Sequence, residues 1–440
     1  MFAIIFPFLI ILLFLWIRWI WKKCYKAFPF CIIFIIEISW GLLSIGWIDS
    51  GTYISEQYRN SYFIGALFDY LLLMAPFAYI FPKYLQKFLI KNQHRDVRFF
   101  KKINWENVIW WGSVIVVVYL FIDLAISGIP LINPQLSKVG YYTKWSILPF
   151  AGKFHAILLP FIILLCGIKL AKSKRNSKTF ICVLGLTISI FLLQILLDYK
   201  FFGLYDYLIW LFIPIISFYW NRPLRNTQRK FVNRPLRNTQ RKFVNIGIVG
   251  GVIFLIICYL KYSRIYTDPF NILLSRIFSL QSHTFWGIDL LVKQGEMGFN
   301  IHTLLEEIGA GFAGAPLVTS DYGVGPIMYA VTRETTANDL ISTGILFSSN
   351  FITVALSYSG YLLTFIYSGC FGLVSAYLTS IFGYYLNKKK YVMLFLSFFI
   401  YLRIYEYFRV GALSIILSWK FILLVIVVVG IQLCKKQLTK

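Results

Sequence analysis

The sequence predicts an all-α protein that crosses a membrane many times. Of its 440 residues, 59% are hydrophobic and 14% are charged, whereas a soluble domain carries about 25% charged residues. The apolar residues form long runs, and lysines and arginines lie in short clusters between those runs. This much apolar surface cannot be buried in one globular core, so we expect lipid to surround the chain.

The charge of the chain excludes one class of partner and favours another. A net charge of +25 would indicate nucleic-acid binding in a soluble protein. Here the positive charge separates apolar runs, as it does in the cytoplasmic loops of membrane proteins. We therefore expect contacts with membrane lipids and none with nucleic acid. The seven cysteines lie in or beside apolar segments without metal-ligand spacing, so neither a disulfide framework, a metal site nor a cofactor is predicted.

Apolar runs of about 20 residues are long enough to span a bilayer. The sequence contains eleven such runs, which predict eleven transmembrane helices. They are Phe2–Ile20, Phe28–Ile48, Tyr62–Phe81, Val108–Ile126, Ser146–Gly167, Thr179–Leu197, Phe202–Trp220, Ile246–Tyr262, Tyr361–Tyr385, Tyr391–Phe408 and Ala412–Leu433.

The distribution of basic residues predicts the orientation of these spans. Every second connection is basic, and together with the C-terminal tail these segments hold 30 of the 43 lysines and arginines. They are Arg18–Lys26, Lys83–Lys102, Lys169–Lys178, Arg222–Lys242, Lys388–Lys390 and Lys435–Lys440. Because basic loops stay in the cytoplasm, the N-terminus is predicted outside and the C-terminus inside.

Three regions follow from this topology. Residues 1–262 form a bundle of eight spans, residues 263–345 form one large external loop, and residues 346–440 contain a re-entry segment and three spans. The cytoplasmic loop at 221–245 is basic and contains the segment NRPLRNTQRKFV twice in succession. Two copies do not build a repeat fold, and a tolerated surface insertion is favoured over a role in binding anionic lipid.

The first candidate site lies in the external loop at Ser275–Asp289. If this segment is helical, Arg276, Leu280, His283 and Trp286 fall near one face, since seven residues return within about 20°. A guanidinium binds phosphate oxygens, and aromatic side chains suit a membrane interface. This face fits a sugar–phosphate lipid, and an amphipathic interfacial helix without chemistry is an equal alternative.

The second candidate site lies at the outer end of the tenth span. Arg403, Glu406 and Arg409 are spaced three residues apart and form a stripe on one side of a helix. Charges inside a membrane are expensive and usually serve a function. Two arginines and one glutamate leave one positive charge, which an anionic ligand could neutralise. Mutual neutralisation within the bundle is the alternative.

The segment SRIFSLQSHTFWGID resembles the O-antigen polymerase (Wzy) family. The matching residues are Arg276, Leu280, Gln281, His283, Trp286 and Asp289. The run from Pro326 to Tyr361 is similar to the segment that returns these proteins to the membrane, and Arg409 resembles the family's late arginine. The likeness covers about Asp268 to Gly411. Ser282 stands where a glycine is common, and the family suggests no role for Arg333.

The resemblance implies a GT-C-like fold with a large periplasmic loop and an enzyme of lipopolysaccharide biosynthesis in the bacterial inner membrane. Such enzymes polymerise undecaprenyl-pyrophosphate-linked oligosaccharides by inverting, metal-independent glycosyl transfer on the periplasmic face. A chain-length regulator protein is a further candidate partner. His283 is the first candidate for the base, followed by His302 and Glu306. The candidates for binding substrate and pyrophosphate are Arg276, Gln281, Trp286, Asp289, Arg403 and Arg409.

Two other functions stay open. A lipid-linked oligosaccharide flippase or transporter would have inverted repeats and charges at the midplane, and the sequence has no recognisable internal halves. An O-antigen ligase would share both the loop and the arginines, so the sequence does not separate it from a polymerase. A membrane acyltransferase would need a histidine-centred motif that the sequence lacks.

Overall fold

The computed structural model describes residues 2–93, 105–133, 136, 141–173, 177–198, 201–220, 263, 278, 282–347, 349–386, 388 and 390–437. The predicted span Ile246–Tyr262, the duplicated loop at 221–245, and two candidate binding residues, Arg276 and Gln281, lie outside these residues.

The first half of the chain forms long helices and one small hairpin. The helices are α1 (Phe2–Lys23), α2 (Phe28–Ile48), α3 (Ala66–Gln93), α4 (Trp105–Ser127), α5 (Tyr141–Lys144), α6 (Ala151–Lys153), α7 (Leu159–Lys172), α8 (Lys178–Leu196) and α9 (Phe201–Trp220). A π-helical turn, Phe154–Leu158, joins α6 to α7. Between α2 and α3, strand β1 (Tyr53–Ile54) pairs antiparallel with β2 (Arg59–Asn60) around the 3₁₀ turn Ser55–Gln57.

The second half contains four short helices followed by the last long ones. The short helices are α10 (His283–Lys293), α11 (Ile301–Ala313), α12 (Val324–Val331) and α13 (Glu334–Ser342). Then come α14 (Phe351–Leu386), α15 (Tyr391–Val410), the short α16 (Ser414–Leu417) and α17 (Trp419–Gln437).

The described chain is that of a multi-pass membrane protein. Seven of its helices are long and apolar enough to cross a bilayer, and two shorter apolar helices, Leu204–Phe218 and Trp419–Leu433, accompany them. The seven are Phe28–Ile48, Ala66–Lys91, Asn107–Ser127, Ala151–Lys172, Lys178–Leu196, Phe351–Leu386 and Tyr391–Val410. Each coincides in large part with a predicted span, whereas the count of eleven spans stays a prediction.

Polar contacts explain why two helices begin later than the hydropathy pattern predicted. Helix α3 begins at Ala66 rather than Tyr62, because the Asp49 carboxylate accepts hydrogen bonds from the amides of Ile64 and Leu67. These amides have no partner within the helix, and a carboxylate at a helix N-terminus is favourable. The fifth span is helical from Ala151 rather than from residue 146. The Asp123 carboxylate holds the Ser146 hydroxyl and the Leu148 amide outside that helix.

The centre of the bundle is the contact between α3 and α14. Phe77 of α3 stacks on Phe371 of α14 with ring centroids 5.5 Å apart, and it also contacts Phe351 and Phe408. The two helices approach closely at Gly372, where an added Cβ would lie 3.3 Å from the Cα of Phe77. Small residues at a helix contact permit this approach inside a membrane.

Helix α14 is kinked at Gly360, which has φ +65° and ψ −178°. Only glycine adopts this backbone conformation readily. The predicted ninth span begins at Tyr361, one residue after the kink. The preceding turns, residues 351–359, belong to the segment that the sequence interpreted as a re-entry into the membrane.

Two of the connections that are poor in lysine and arginine meet at one end of the bundle. Residues 49–65 and 282–347 form one folded unit there, which we call the cap. Its two parts are joined by the Gln57 amide, which donates to the His283 carbonyl, and by the Thr332 hydroxyl, which donates to the Glu56 carbonyl. The turn that follows α15 contacts the cap where Gly311 meets Leu417. At the opposite end, the basic connection after α1 contacts α3, with the Gln86 side chain accepting from the amides of residues 26 and 27.

Candidate functional site

The charged stripe on α15 is neutralised by other helices. The Arg409 guanidinium donates to Asp206 of α9 at 3.0 Å. The Tyr405 hydroxyl lies 2.9 Å from Asp206 and 3.0 Å from the Glu37 carboxylate of α2, and it donates to one of them at a time. The contacts therefore tie α2, α9 and α15 together.

The predicted surplus of positive charge in this stripe is wrong. Arg403 pairs with Glu406 at 2.8 Å, and Arg409 pairs with Asp206, so two guanidiniums face three carboxyl groups once Glu37 is included. The side chains of Arg403 and Arg409 are still 36% and 39% exposed. Both arginines keep donors that a ligand can reach, without an excess of charge to attract it.

A chain of hydrogen bonds fixes the proton on His283 at the start of α10. The Arg59 Nε donates to the Gln57 side-chain oxygen at 2.9 Å, so the Gln57 nitrogen must be the donor on its other side. That nitrogen donates to the His283 carbonyl at 2.6 Å and lies 3.3 Å from the His283 Nδ1. Nδ1 is therefore the acceptor, and the proton of the neutral ring sits on Nε2.

This environment does not fit the predicted role of His283 as a base. The side chain is fully buried, and its ring packs edge-on against Phe347. Burial lowers the pKa of His283 to about 4, although Glu56 acts in the opposite direction. Its Nε2 has no hydrogen-bond partner, but that nitrogen carries the proton. His283 is thus placed to donate a hydrogen bond rather than to accept a proton.

Trp286 lies one turn further along α10 and is also fully buried. One neighbour is the Arg59 guanidinium, 4.9 Å from the ring centre, and another is the ring of Tyr62, whose centre is 5.8 Å away. The indole cannot stack on a sugar in this arrangement, so the predicted exposed Arg–His–Trp face is wrong for its histidine and tryptophan. The cation beside the indole is Arg59, a residue of the short loop between α2 and α3 for which the sequence pattern gave no signal.

Asp289, predicted to bind substrate, has its oxygens occupied by the protein. One carboxylate oxygen accepts from Lys293 at 2.7 Å and the other from the Tyr361 hydroxyl at 2.7 Å. Lys293 also pairs with Asp69 at 2.5 Å. Burial raises the pKa of Asp289, and the ammonium and the hydroxyl oppose that rise. The cluster joins α3, α10 and α14, which makes Asp289 a structural residue.

The two remaining candidates for the base lie on α11, but the side chain of this helix that faces the interior is the neighbouring Glu307. His302 and Glu306 are exposed, whereas Glu307 is buried and accepts a hydrogen bond from the Gly323 amide at 2.6 Å. Burial raises the pKa of Glu307, and that hydrogen bond opposes the rise. Glu307 and Gly311 share one helix face, four residues apart, and this spacing was the available signal.

Glu307 lines a cleft at the junction of the cap and the end of α15. The cleft has a volume of about 10 Å³, which is about the space of one water molecule. Its walls include Gly311, Pro316, Gly323 and Ala412. A buried carboxyl with a raised pKa in a cleft is a candidate for proton transfer.

No family model, no curated protein and no solved structure matches the chain. The resemblance to the O-antigen polymerases therefore rests on the motif residues of the sequence. Within the residues that the structure describes, no group of three or more His, Cys, Asp or Glu side chains is arranged to hold a metal ion.

Proposed function

We propose that the chain is a polymerase of lipid-linked oligosaccharides. In this proposal it has eleven spans, with its N-terminus in the periplasm and its C-terminus in the cytoplasm of a bacterium. It lengthens an O-antigen chain on undecaprenyl pyrophosphate at the periplasmic face of the inner membrane, by inverting transfer to one lipid-linked repeat unit.

The observation that best supports this proposal is the folded cap on the end of the bundle that is poor in basic residues. The cap places the donors of Arg59 at the same end as Arg409, and it places the Glu307 cleft against the turn after α15. An external glycan lipid would arrive at this end, with its sugars outside and its lipid beside the helices. A transporter would instead need a path along the bundle axis.

The reaction requires two kinds of group. The acceptor hydroxyl oxygen forms a bond to the anomeric carbon of the donor, the bond from that carbon to the pyrophosphate oxygen breaks, and the hydroxyl proton must be removed. The leaving pyrophosphate gains negative charge, which guanidinium donors stabilise. We assign this role to Arg409 and Arg403, together with Arg276, and we assign proton removal to Glu307 in place of His283.

The glycan profile of a deletion strain tests the proposal. Loss of the long-chain ladder with one repeat unit retained on the lipopolysaccharide is the expected result, and the wild-type gene should restore the ladder. Loss of every unit would contradict a polymerase and indicate a ligase or a flippase.

Variants then test the assigned residues in the same strain. Arg409→Gln and Glu307→Gln should each give single-unit product, because the first removes leaving-group stabilisation and the second removes the proton acceptor. The matched control is Glu306→Gln, which makes the same change on the exposed side of α11 and should restore the ladder. A full ladder from both Arg409→Gln and Glu307→Gln at normal protein levels would refute the assignment.

A further inference from the structure

Arg59 is a half-buried cation without a carboxylate partner. Its guanidinium stacks on Trp286 at 4.9 Å, and its Nε is occupied by Gln57. Among the described residues, no Asp or Glu oxygen lies within ion-pair distance of it. Burial lowers the pKa of Arg59, as expected for a cation that lacks an opposite charge. The two terminal nitrogens stay available for a ligand.

The groups around Arg59 have unused donors, and the carboxylate nearest in sequence, Glu56, accepts a hydrogen bond from Ser55 and makes no ion pair with Arg59. The Gln57 oxygen and the His283 Nδ1 are both used within the chain of hydrogen bonds described above. The His283 Nε2 and the Trp286 Nε1 carry protons and have no partner, and both residues are fully buried. An unpaired guanidinium that neighbouring groups hold in place is complementary to an anion.

The neighbouring side chains indicate the depth of this site in the membrane. Tyr53, Tyr62 and Phe63 are each about half exposed on the same loop. Tyrosines concentrate at the level of lipid headgroups, and headgroup phosphates lie at that level. A planar guanidinium can bind two phosphate oxygens at once.

We propose that Arg59 binds the pyrophosphate of a prenyl-linked substrate at the outer end of the bundle. The fixed Gln57 contact and the Trp286 ring orient the guanidinium before the lipid arrives. The identity of the ligand as a prenyl-linked pyrophosphate rests on the proposed function, whereas the binding of a phosphate group by Arg59 at the headgroup level does not.

Calorimetry on the purified full-length protein in maltoside detergent tests this proposal. The probes are farnesyl pyrophosphate, inorganic pyrophosphate and farnesol. Farnesyl pyrophosphate should bind at least about tenfold more tightly than either other probe, since both its prenyl chain and its charge contribute. Equal affinity for inorganic pyrophosphate would identify a soluble anion as the ligand and contradict the assignment to a lipid.

The variants separate Arg59 from general charge effects. Arg59→Gln should weaken farnesyl pyrophosphate binding by about tenfold or more, and Arg59→Lys by less, because lysine keeps the charge but loses the planar fork. The matched control is Arg333→Gln, which removes another cap guanidinium stacked on an aromatic ring, that of Tyr58. It should change the affinity by less than about twofold. Wild-type affinity in Arg59→Gln would overturn the proposal.

A second measurement uses the wild-type protein and does not depend on the folding of any variant. Phenylglyoxal modifies accessible guanidiniums, and mass spectrometry reports each modified peptide. Farnesyl pyrophosphate should protect Arg59 and leave Arg333 reactive, and equal modification of Arg59 with and without the probe would contradict the proposal. Failure of the glycan assay with Arg59 still protected would remove the polymerase function alone. A functional polymerase with Arg59 unprotected would remove this inference alone.

Discussion

Acidification should loosen α10 through His283. The ring is neutral and fully buried in the folded cap, so it resists protonation until the pKa of His283 is reached at about 4. When α10 opens to solvent, the imidazole regains its usual pKa of about 6.5. The open state therefore takes up a proton at a higher pH than the folded state does.

This difference in pKa determines how the stability of the folded cap changes with pH. A depressed pKa in the folded state means that the stability is fully present above about pH 6.5 and is lost as the pH falls towards 4. Between about pH 7.5 and about pH 5 the loss for this one group is about 2 kcal/mol. A loss of that size corresponds to an increase of about 30-fold in the population of the open state.

Hydrogen exchange read peptide by peptide is the suitable assay. Amide protection of residues 285–292 is compared at the two pH values after correction for the intrinsic exchange rate. A whole-protein melting temperature would mix opposing effects, because the raised pKa of Glu307 favours the folded state at low pH. Asp289, on α10 itself, also has a raised pKa. Comparison with His283→Gln removes that contribution, because the aspartate is present in both proteins.

His283→Gln should lose most of the pH dependence in these peptides, because glutamine does not titrate. His302→Gln is the matched control, since it replaces an exposed histidine of the same cap, and it should behave as the wild type does. Equal protection of the wild-type peptides at both pH values would contradict this role of His283, and so would an undiminished pH response in His283→Gln.

Three further predictions concern single residues. Lys293→Met leaves the buried Asp289 without its cation. We expect the free energy of unfolding to fall by about 2 kcal/mol, which is less than for a fully buried pair because the lysine is partly exposed. A lower melting temperature in detergent would show this loss. Glu307→Gln should remove the acidic limb from the pH profile of the residual transferase activity, whereas Glu306→Gln should leave the profile unchanged. Gly411→Ala should reduce the yield of folded protein, because φ is +84° and an added Cβ would lie 2.5 Å from a valine carbon of α14. The control Gly430→Ala should express normally, because an added Cβ there has open space.

The spans were predictable because hydropathy acts over many residues at once. Helix α2 begins and ends where its apolar run does, and the kink at Gly360 comes one residue before the predicted Tyr361 boundary. The starts of α3 and α6 were not predictable in this way. They depend on the single carboxylates of Asp49 and Asp123, which bind amides at or before the helix start.

The candidate site was predictable only as a region. The sequence selected α10 and the end of α15 as candidate sites, and in the structure polar side chains of both elements bind partners from distant segments. It chose Glu306 where the helix buries Glu307, because one residue changes the direction of a side chain by about 100°. That choice depends on which side of α11 faces the bundle.

Apolar length and charge placement are properties of each segment alone, so they suffice to identify this chain as a basic, multi-pass helical membrane protein. Which of its charges are paired depends on contacts between segments that are far apart in the sequence. Asp206 neutralises Arg409 from a helix 203 positions earlier in the chain, and Gln57 fixes the proton of His283 across 226 positions. Arg59, by contrast, remains without a carboxylate among the described residues. Ion pairing is a short-range interaction, so it is settled only when distant segments come into contact.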